Sequence, residues 1–156
     1  MGLKEDLKLN NEVDNLNHEA ILTLYFTSLL IKKRSYEFFK KFGLTDVQYN
    51  VMVLLYYQKS NNEGLTQVEL SKMMLVNKAN ITTLVDRMEK SDLVKRQNIK
   101  GDRRYNMITL TEKGLKLFQE IEVYYFKEID KVINILEKDE IHKLMDICNK
   151  LRSRLL

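Results

Sequence analysis

The chain has 156 residues, of which 44% are hydrophobic and 31% are charged, and this composition predicts one folded domain of ordinary size. Its formal net charge of +4 favours anionic partners only weakly, and its single cysteine, Cys148, excludes an internal disulfide framework and is typical of a reducing compartment. The most apolar stretch, residues 20–31, is shorter than the roughly 20 residues that span a bilayer, so we expect a cytoplasmic protein without a membrane segment.

The first predicted element is one long helix over residues 15–42, which Gly43 ends. Its apolar residues cover more than one side, and a helix of that kind needs two surfaces to pack against. Thr45 is placed to cap a second helix that runs to about Lys59, and residues 61–64 then form a loop.

A capping box opens the third predicted helix. Thr66 is followed three residues later by Glu69, so each side chain can accept a free backbone N–H of the helix start. This helix is short and ends near Met74, and a tight turn leads to a fourth helix over residues 77–90. The core-facing stripe of that fourth helix consists of Ile81, Leu84, Val85 and Met88.

Two β-compatible runs follow, residues 93–99 and 103–110, around the turn "KGD", and this pattern predicts a β-hairpin. A short helix, a tight turn, a second helix and then a hairpin make a winged helix-turn-helix. In helix-turn-helix proteins the second helix of the motif lies in the DNA major groove, where its N-terminal residues reach the base edges.

Two further helices complete the chain. Thr111 can cap a long helix from residue 112 to about Glu137, and Asp139 and Glu140 favour the start of a final helix through the helix dipole. The predicted fold is therefore mainly α with a small β-hairpin.

The fourth helix begins with short hydrogen-bonding residues at outward positions, where solvent-facing helices usually carry long Glu and Lys chains. Asn pairs with the edge of adenine, Lys pairs with guanine or phosphate, and Thr offers a hydroxyl and a methyl group. With Asn77 as the helix cap, the outward side chains that we place against DNA are Lys78, Asn80, Thr82 and Thr83, with Arg87 and Lys90 further along.

Basic charge is concentrated beside this helix. Between Arg87 and Arg104 there are seven basic and three acidic residues, so this stretch carries the whole net charge and the remainder of the chain is neutral. A local basic patch on a neutral body is the electrostatic footprint of a protein that meets phosphates at one place. The basic residues of the hairpin that we assign to this surface are Lys95, Arg96, Lys100, Arg103 and Arg104.

Three stretches carry a resemblance to a known family: "LTDVQYNVMVLL", "LTQVELSKMMLVNKANITTLVDRMEKSDLVKR" and "GDRRYNMITLTEKG". Over about residues 44–114 the chain resembles the multiple-antibiotic-resistance regulator (MarR) family of bacterial winged-helix transcription factors. The resemblance implies a single MarR-like chain over residues 1–156, in which the helices of 15–42 and 112–156 interleave in a homodimer. Two winged domains would then bind a pseudo-palindromic operator in double-stranded DNA, usually to repress transcription.

The family's wing-tip motif matches "DRR", residues 102–104. By this resemblance Asp102 braces the wing, Arg103 contacts phosphate and Arg104 enters the minor groove, since a narrow groove attracts arginine.

Family members also release DNA when a small aromatic or anionic effector enters a pocket between the dimer helices and the winged domain. The tyrosines of this chain that are candidates for such a pocket are Tyr25, Tyr49, Tyr56 and Tyr57, although tyrosines at helical spacing are more often part of a core.

Other functions leave weaker signals. His18 and His142 belong to no spaced ligand cluster, and the chain has no Gly-rich phosphate loop or nucleophile elbow, so we expect no metal site, cofactor or enzymatic activity. Cys148 lies on an apolar helix stripe without basic neighbours on its own turn, which predicts packing and not redox sensing. Two alternatives stay open, a non-specific architectural DNA binder and a winged-helix module that binds proteins, and the basic wing argues against the second.

Overall fold

The computed structural model describes residues 2–58, 64–99 and 102–156, and within these ranges seven helices and three strands follow one another. In chain order they are α1 (Leu3–Leu7), α2 (Leu16–Lys40), α3 (Asp46–Tyr57), β1 (Leu65–Thr66), α4 (Gln67–Met73), α5 (Lys78–Lys90), β2 (Val94–Ile99), β3 (Asp102–Leu110), α6 (Glu112–Ile133) and α7 (Lys138–Leu155). The fold is mainly helical with a small antiparallel sheet, as the sequence predicts. Helices α4 and α5 with strands β2 and β3 form the expected winged helix-turn-helix.

Most helix starts lie where the sequence predicts them, because a side-chain oxygen accepts a free backbone N–H there. At α5, Asn77 Oδ1 accepts the N–H of Asn80 at 2.9 Å. At α4 the capping box is complete, since Glu69 accepts the N–H and the hydroxyl of Thr66, and these bonds lower the pKa of its carboxyl group. The remaining side-chain caps are Asn15, Thr45 and Thr111.

Helix ends are predicted less well. The predicted end of the second helix at Lys59 and most of the loop 61–64 lie outside the described residues. Helix α6 ends at Ile133 instead of continuing to Glu137. The reason is local, because Glu137 is the N-cap residue of α7, and its backbone N–H donates to the carboxylate of Glu140 at 2.8 Å.

Two short elements were not predicted. Helix α1 has only five residues, and β1 has only two, so neither shows a period in the sequence. Strand β1 pairs antiparallel with β3, Leu65 opposite Ile108, and the sheet order is β1-β3-β2. The predicted two-stranded hairpin is thus part of a three-stranded sheet. Gly64 enters this edge with φ +78°, and a Cβ there would overlap the Ile108 carbonyl.

The core lies where α3, α4, α5 and the start of α6 pack on the sheet. Aromatic rings close it on the side of α2: Phe39 stacks on Tyr49 at 4.2 Å between ring centroids, and Tyr49 lies 5.5 Å from Phe118. The large side chains that are fully buried are Phe39, Val51, Met52, Leu70, Ile81, Val85, Met88, Val94, Ile108, Phe118 and Ile121.

The outer helices, in contrast, leave large apolar side chains in contact with solvent. No residue of α7 is buried. The exposed apolar residues of α2, α6 and α7 are Leu16, Ile21, Leu24, Tyr25, Leu29, Leu30, Ile31, Tyr36, Val123, Tyr124, Phe126, Ile129, Val132, Leu144, Met145, Ile147, Leu151 and Leu155. Even so, none of the helices in the described ranges has the length and hydropathy needed to cross a membrane.

Candidate nucleic-acid interface

Core packing sets the direction in which α5 presents its outer side. The helix-turn-helix buries one residue of α4 and three of α5, namely Leu70, Ile81, Val85 and Met88. Leu84, predicted for the same stripe, is half-buried against them. In the turn, the Ser71 hydroxyl donates to the carbonyl of Val76 at 2.6 Å. The opposite side of α5 therefore faces solvent in a fixed orientation.

This outer side starts with an exposed surface that has no acidic group in its first turn. A phosphate group that approached it would meet no carboxylate repulsion there, and it would meet the positive end of the helix dipole. Of the residues at the start of α5 that are predicted to contact DNA, Thr82 is half-buried. The others are exposed, namely Asn77, Lys78, Asn80 and Thr83.

Hydrogen bonds within α5 determine what each of these side chains can offer. The Thr82 hydroxyl donates to the Lys78 carbonyl at 2.9 Å, and the Thr83 hydroxyl donates to the Ala79 carbonyl at 3.2 Å. Both threonines thus keep lone pairs and a methyl group for a partner, while their protons are engaged. Among the described residues, neither the Lys78 ammonium nor the side-chain amide of Asn80 has a hydrogen-bonding partner, so these two groups are the outward donors at the start of α5.

Further basic groups lie along α5 and on the neighbouring strand. Arg87 and Lys90 are exposed in the last turn of α5, and Lys95 is exposed on β2. All three cations are exposed to solvent, and their contacts with DNA stay predictions. Lys100 lies outside the described residues, as does the turn residue Gly101.

Arg96 differs from its basic neighbours, because its guanidinium group is already paired within the chain. It contacts Asp86 Oδ1 at 2.5 Å and also the carboxylate of Glu89. Its side chain is 20% exposed. The contact with DNA that the sequence predicts for Arg96 would have to compete with two carboxylates of α5. Sequence reasoning missed these partners, although two acids three residues apart on one helix face were a visible signal.

The wing itself is a regular ladder over most of its length. Its strands pair from Val94 opposite Leu110 to Asn98 opposite Asn106, and the register shifts beyond Asn98. The backbone of residues 102–104 belongs to β3. The side chains of Asp102, Arg103 and Arg104 lie outside the described part of the chain, so their assigned roles stay predictions.

The base of the wing is attached to the end of α5 by Thr111. Its hydroxyl donates to the Asp92 carbonyl at 2.6 Å and accepts the N–H of Gly114 at 2.9 Å. Its own N–H donates to the Leu93 carbonyl at 3.1 Å. Gly114 is buried against that same carbonyl, and a Cβ at this position would overlap it. Thr111 therefore joins the segment that follows α5, the wing and the start of α6.

Two of the four tyrosines predicted to line a pocket, Tyr56 and Tyr57, are in edge contact with 5.1 Å between ring centroids, and Tyr49 and Tyr56 both pack on Phe118. Tyr49 is buried in the core, where burial raises the pKa of its hydroxyl well above the usual range. Tyr25 is exposed on α2, and Tyr57 is exposed and donates to Glu122 at 2.7 Å, a bond that raises its pKa. Tyr56 does line a cavity of about 220 Å³. The other residues of that cavity are Leu55, Gly64, Lys95, Gln97, Thr109, Leu110 and Leu115.

A family comparison agrees with this geometry. Residues 44–105 match the model of the MarR family. The chain is also 30% identical over 114 residues to the HTH-type transcriptional regulator MhqR of Bacillus subtilis (strain 168), an alignment that covers 73% of this chain and 73% of that protein. The chain belongs to the MarR family. Its members are transcriptional regulators and not enzymes, and this protein is therefore a DNA-binding transcriptional regulator.

Solved MarR-family structures have the same fold. AbsC from Streptomyces coelicolor superposes with a TM-score of 0.82 at 22% identity, and the match covers 94% of this chain and 98% of AbsC. MepR of S. aureus in complex with DNA gives a TM-score of 0.76 at 21% identity, over 85% of this chain and 96% of MepR. At these identities the likeness concerns the architecture, and the contacts of this MarR-family protein have to come from its own residues.

Two further predictions concern metal and thiol chemistry in this regulator. Within the described ranges no three His, Cys, Asp or Glu side chains come close enough together to hold a metal ion. Cys148 is half-buried on α7, among the exposed apolar residues of that helix.

Proposed function

We propose that this MarR-family regulator acts in the cytoplasm as a homodimeric repressor that binds a pseudo-palindromic operator in double-stranded DNA. The observation that carries the proposal is the exposed, acid-free start of α5 beside a basic two-stranded wing. In a winged helix-turn-helix this is the part of the protein that enters the major groove.

The donors at the start of α5 define the expected base contacts. The Asn80 amide group suits the N6 and N7 edge of adenine, and the Lys78 ammonium suits guanine or phosphate. Thr82 and Thr83 present methyl groups and acceptor lone pairs, because their protons are bonded to helix carbonyls. We therefore infer contacts of these threonines with thymine methyl groups or base amino groups, and not donation to phosphate.

The wing extends this surface to the neighbouring minor groove. In the proposal Arg104 enters that groove, Arg103 contacts phosphate and Asp102 braces the tip. Lys95, exposed at the base of β2, adds a phosphate contact.

A second copy of the chain is the proposed partner of the outer helices. Exposed apolar side chains of α2, α6 and α7 form more apolar surface than a folded chain of this size usually leaves uncovered. A two-fold dimer covers the same patch on both subunits. It also places the two α5 helices on one side of the DNA, about one helical turn or ~34 Å apart.

The proposal is tested by selection of bound duplexes from a random pool, followed by anisotropy titrations on the selected site. We expect an inverted repeat, and Arg104→Ala should weaken binding by about 1–3 kcal/mol. Lys95→Ala should reduce the salt slope by about one unit without changing base preference. If no duplex is preferred over another, the architectural alternative replaces the proposal; if no duplex binds with a salt dependence, the protein-binding alternative does.

We also propose that a small aromatic or anionic effector binds the cavity lined by Tyr56. Its walls include three leucines, Lys95 supplies a cation, and the Thr109 hydroxyl is buried without a partner among the described residues. A panel of phenolic acids should raise the melting temperature and weaken operator binding, and Thr109→Val should reduce both effects. A panel that changes neither quantity contradicts this part of the proposal.

A further inference from the structure

The side chains of β2 alternate between the two faces of the sheet. Lys95 and Gln97 point to one face, and Arg96 points to the other. Val94 points into the core, while Lys95 and Gln97 line the cavity on the opposite face of the sheet. Arg96 points toward α5, in step with Val94. Strand β2 thus presents Lys95 to solvent and holds Arg96 against α5.

Asp86 and Glu89 stand three residues apart on α5, so that both carboxylates face the same side of the helix. Arg96 Nη2 pairs with Asp86 and Nη1 pairs with Glu89, and the second Glu89 oxygen accepts the backbone N–H of Arg96 at 3.2 Å. We call these three residues the Arg96 clasp. Three hydrogen bonds from one residue connect the wing to the helix.

We propose that Arg96 is a positioning residue for DNA binding, which sets the angle between the wing and α5 and neutralises two carboxylates beside the phosphate-facing surface. This inference rests on the proposed function, in which α5 and the wing occupy neighbouring grooves. A planar guanidinium is suited to this role because it pairs with two carboxylates in fixed directions. The wing and the helix then approach the duplex as one rigid unit, and less conformational entropy is lost on binding.

Neutralisation of Asp86 and Glu89 tests the proposal, because positioning and simple electrostatics predict opposite changes in operator affinity. The variant Asp86→Asn/Glu89→Gln removes two negative charges from a DNA-binding surface, which by simple electrostatics tightens binding. If the clasp positions the wing, the same variant weakens operator binding, by roughly 2- to 30-fold. Tighter or unchanged binding by this variant overturns the proposal.

A salt titration separates positioning from phosphate contact. Arg96→Gln should weaken operator binding by roughly 2- to 30-fold and leave the slope of log K against log salt unchanged. Its matched control is Lys95→Gln at the preceding residue, which should reduce that slope by about 0.9. A slope that falls by a similar amount in Arg96→Gln identifies Arg96 as a phosphate contact and overturns the clasp.

Coupling to the wing tip provides a readout that a general loss of stability does not change. Arg104→Ala is measured in the wild-type background and in the Arg96→Gln background. With a loosened wing, the loss caused by Arg104→Ala should shrink by at least half, and an equal loss in both backgrounds contradicts the clasp. If Arg104→Ala has no effect in the wild type, the proposed minor-groove contact fails, and the Asp86→Asn/Glu89→Gln variant still decides the role of Arg96.

Folding is controlled by a conservative variant. Arg96→Lys keeps the charge but can pair fully with only one carboxylate, so it should recover part of the affinity that Arg96→Gln loses. Far-UV circular dichroism and melting temperatures of all variants show whether a loss of binding reflects unfolding. Full recovery of affinity by Arg96→Lys would mean that charge alone, and not geometry, is needed.

Discussion

The winged region buries its apolar side chains within one chain, whereas the flanking helices leave many of theirs exposed. In the winged region Ile81, Val85 and Met88 of the α5 stripe are fully buried within one chain, and Leu84 is half-buried against them. On α7 the stripe is equally regular, yet none of its residues is buried. The same helical spacing of apolar residues therefore gives a buried core in the winged region and a solvent-exposed apolar surface on α7.

This difference indicates where each region obtains its stability. The winged region contains its own core and positions its DNA-facing side chains by intrachain packing and caps. Helix α7 and the exposed sides of α2 and α6 gain stability only when a second surface covers them. Substitutions at equally apolar positions in the two regions should therefore have different consequences.

The largest expected effect is at the uncovered stripe. Leu144 is 41% exposed in one chain, and a charge introduced there by Leu144→Glu would be buried without a partner in the proposed dimer. We expect the dimer to be weaker by about 3–5 kcal/mol, with a large loss of operator affinity. Sedimentation measures the first effect and anisotropy the second.

The control for this substitution is Lys150→Glu, which places the same side chain on the polar side of α7 and changes the formal charge by −2 instead of −1. It should nevertheless leave the dimer intact. If Leu144→Glu sediments as the wild-type protein does, the exposed apolar stripe of α7 is not the dimer interface.

A smaller effect is expected where the two regions join. Thr111→Ala removes the cap of α6 and the bond to the Asp92 carbonyl, and should reduce the free energy of unfolding by about 0.5–2 kcal/mol. Chemical denaturation measures this change. Thr83→Ala, on the exposed face of α5, is the control and should stay within about 0.5 kcal/mol of wild type. Equal stability of both variants would mean that the joint at Thr111 contributes little.

The smallest expected effect is a gain in stability at Leu75, which is exposed like Leu144 but lies in a turn. Leu75, in the turn before α5, is 81% exposed and has φ +53°, a backbone conformation that costs an L-residue roughly 1–2 kcal/mol. Leu75→Gly relieves this strain but adds about 0.5–1 kcal/mol of chain entropy cost. We therefore expect denaturation curves to show a net stabilisation of about 0.5–1 kcal/mol. A loss of stability would indicate that Leu75, like Leu144, is covered by a partner.

The sequence predicted best those elements whose signals are local. Thr45, Thr66, Asn77 and Thr111 cap helices as expected, because a cap needs only an oxygen at the right place in the chain. The stripe of α5 followed from its spacing. Strand β1 could not be predicted in this way, since two residues have no period and their pairing with β3 depends on a segment about forty residues away.

For the candidate site, the sequence alone determined which residue types stand at the start of α5 and that basic charge is concentrated beside them, since both follow from the order of residues along one helix and one hairpin. Only the tertiary structure decided that Arg96 is held by Asp86 and Glu89. The physical reason is that a basic residue looks the same in a sequence whether it faces solvent or a carboxylate. Which of the two it faces depends on how two elements pack.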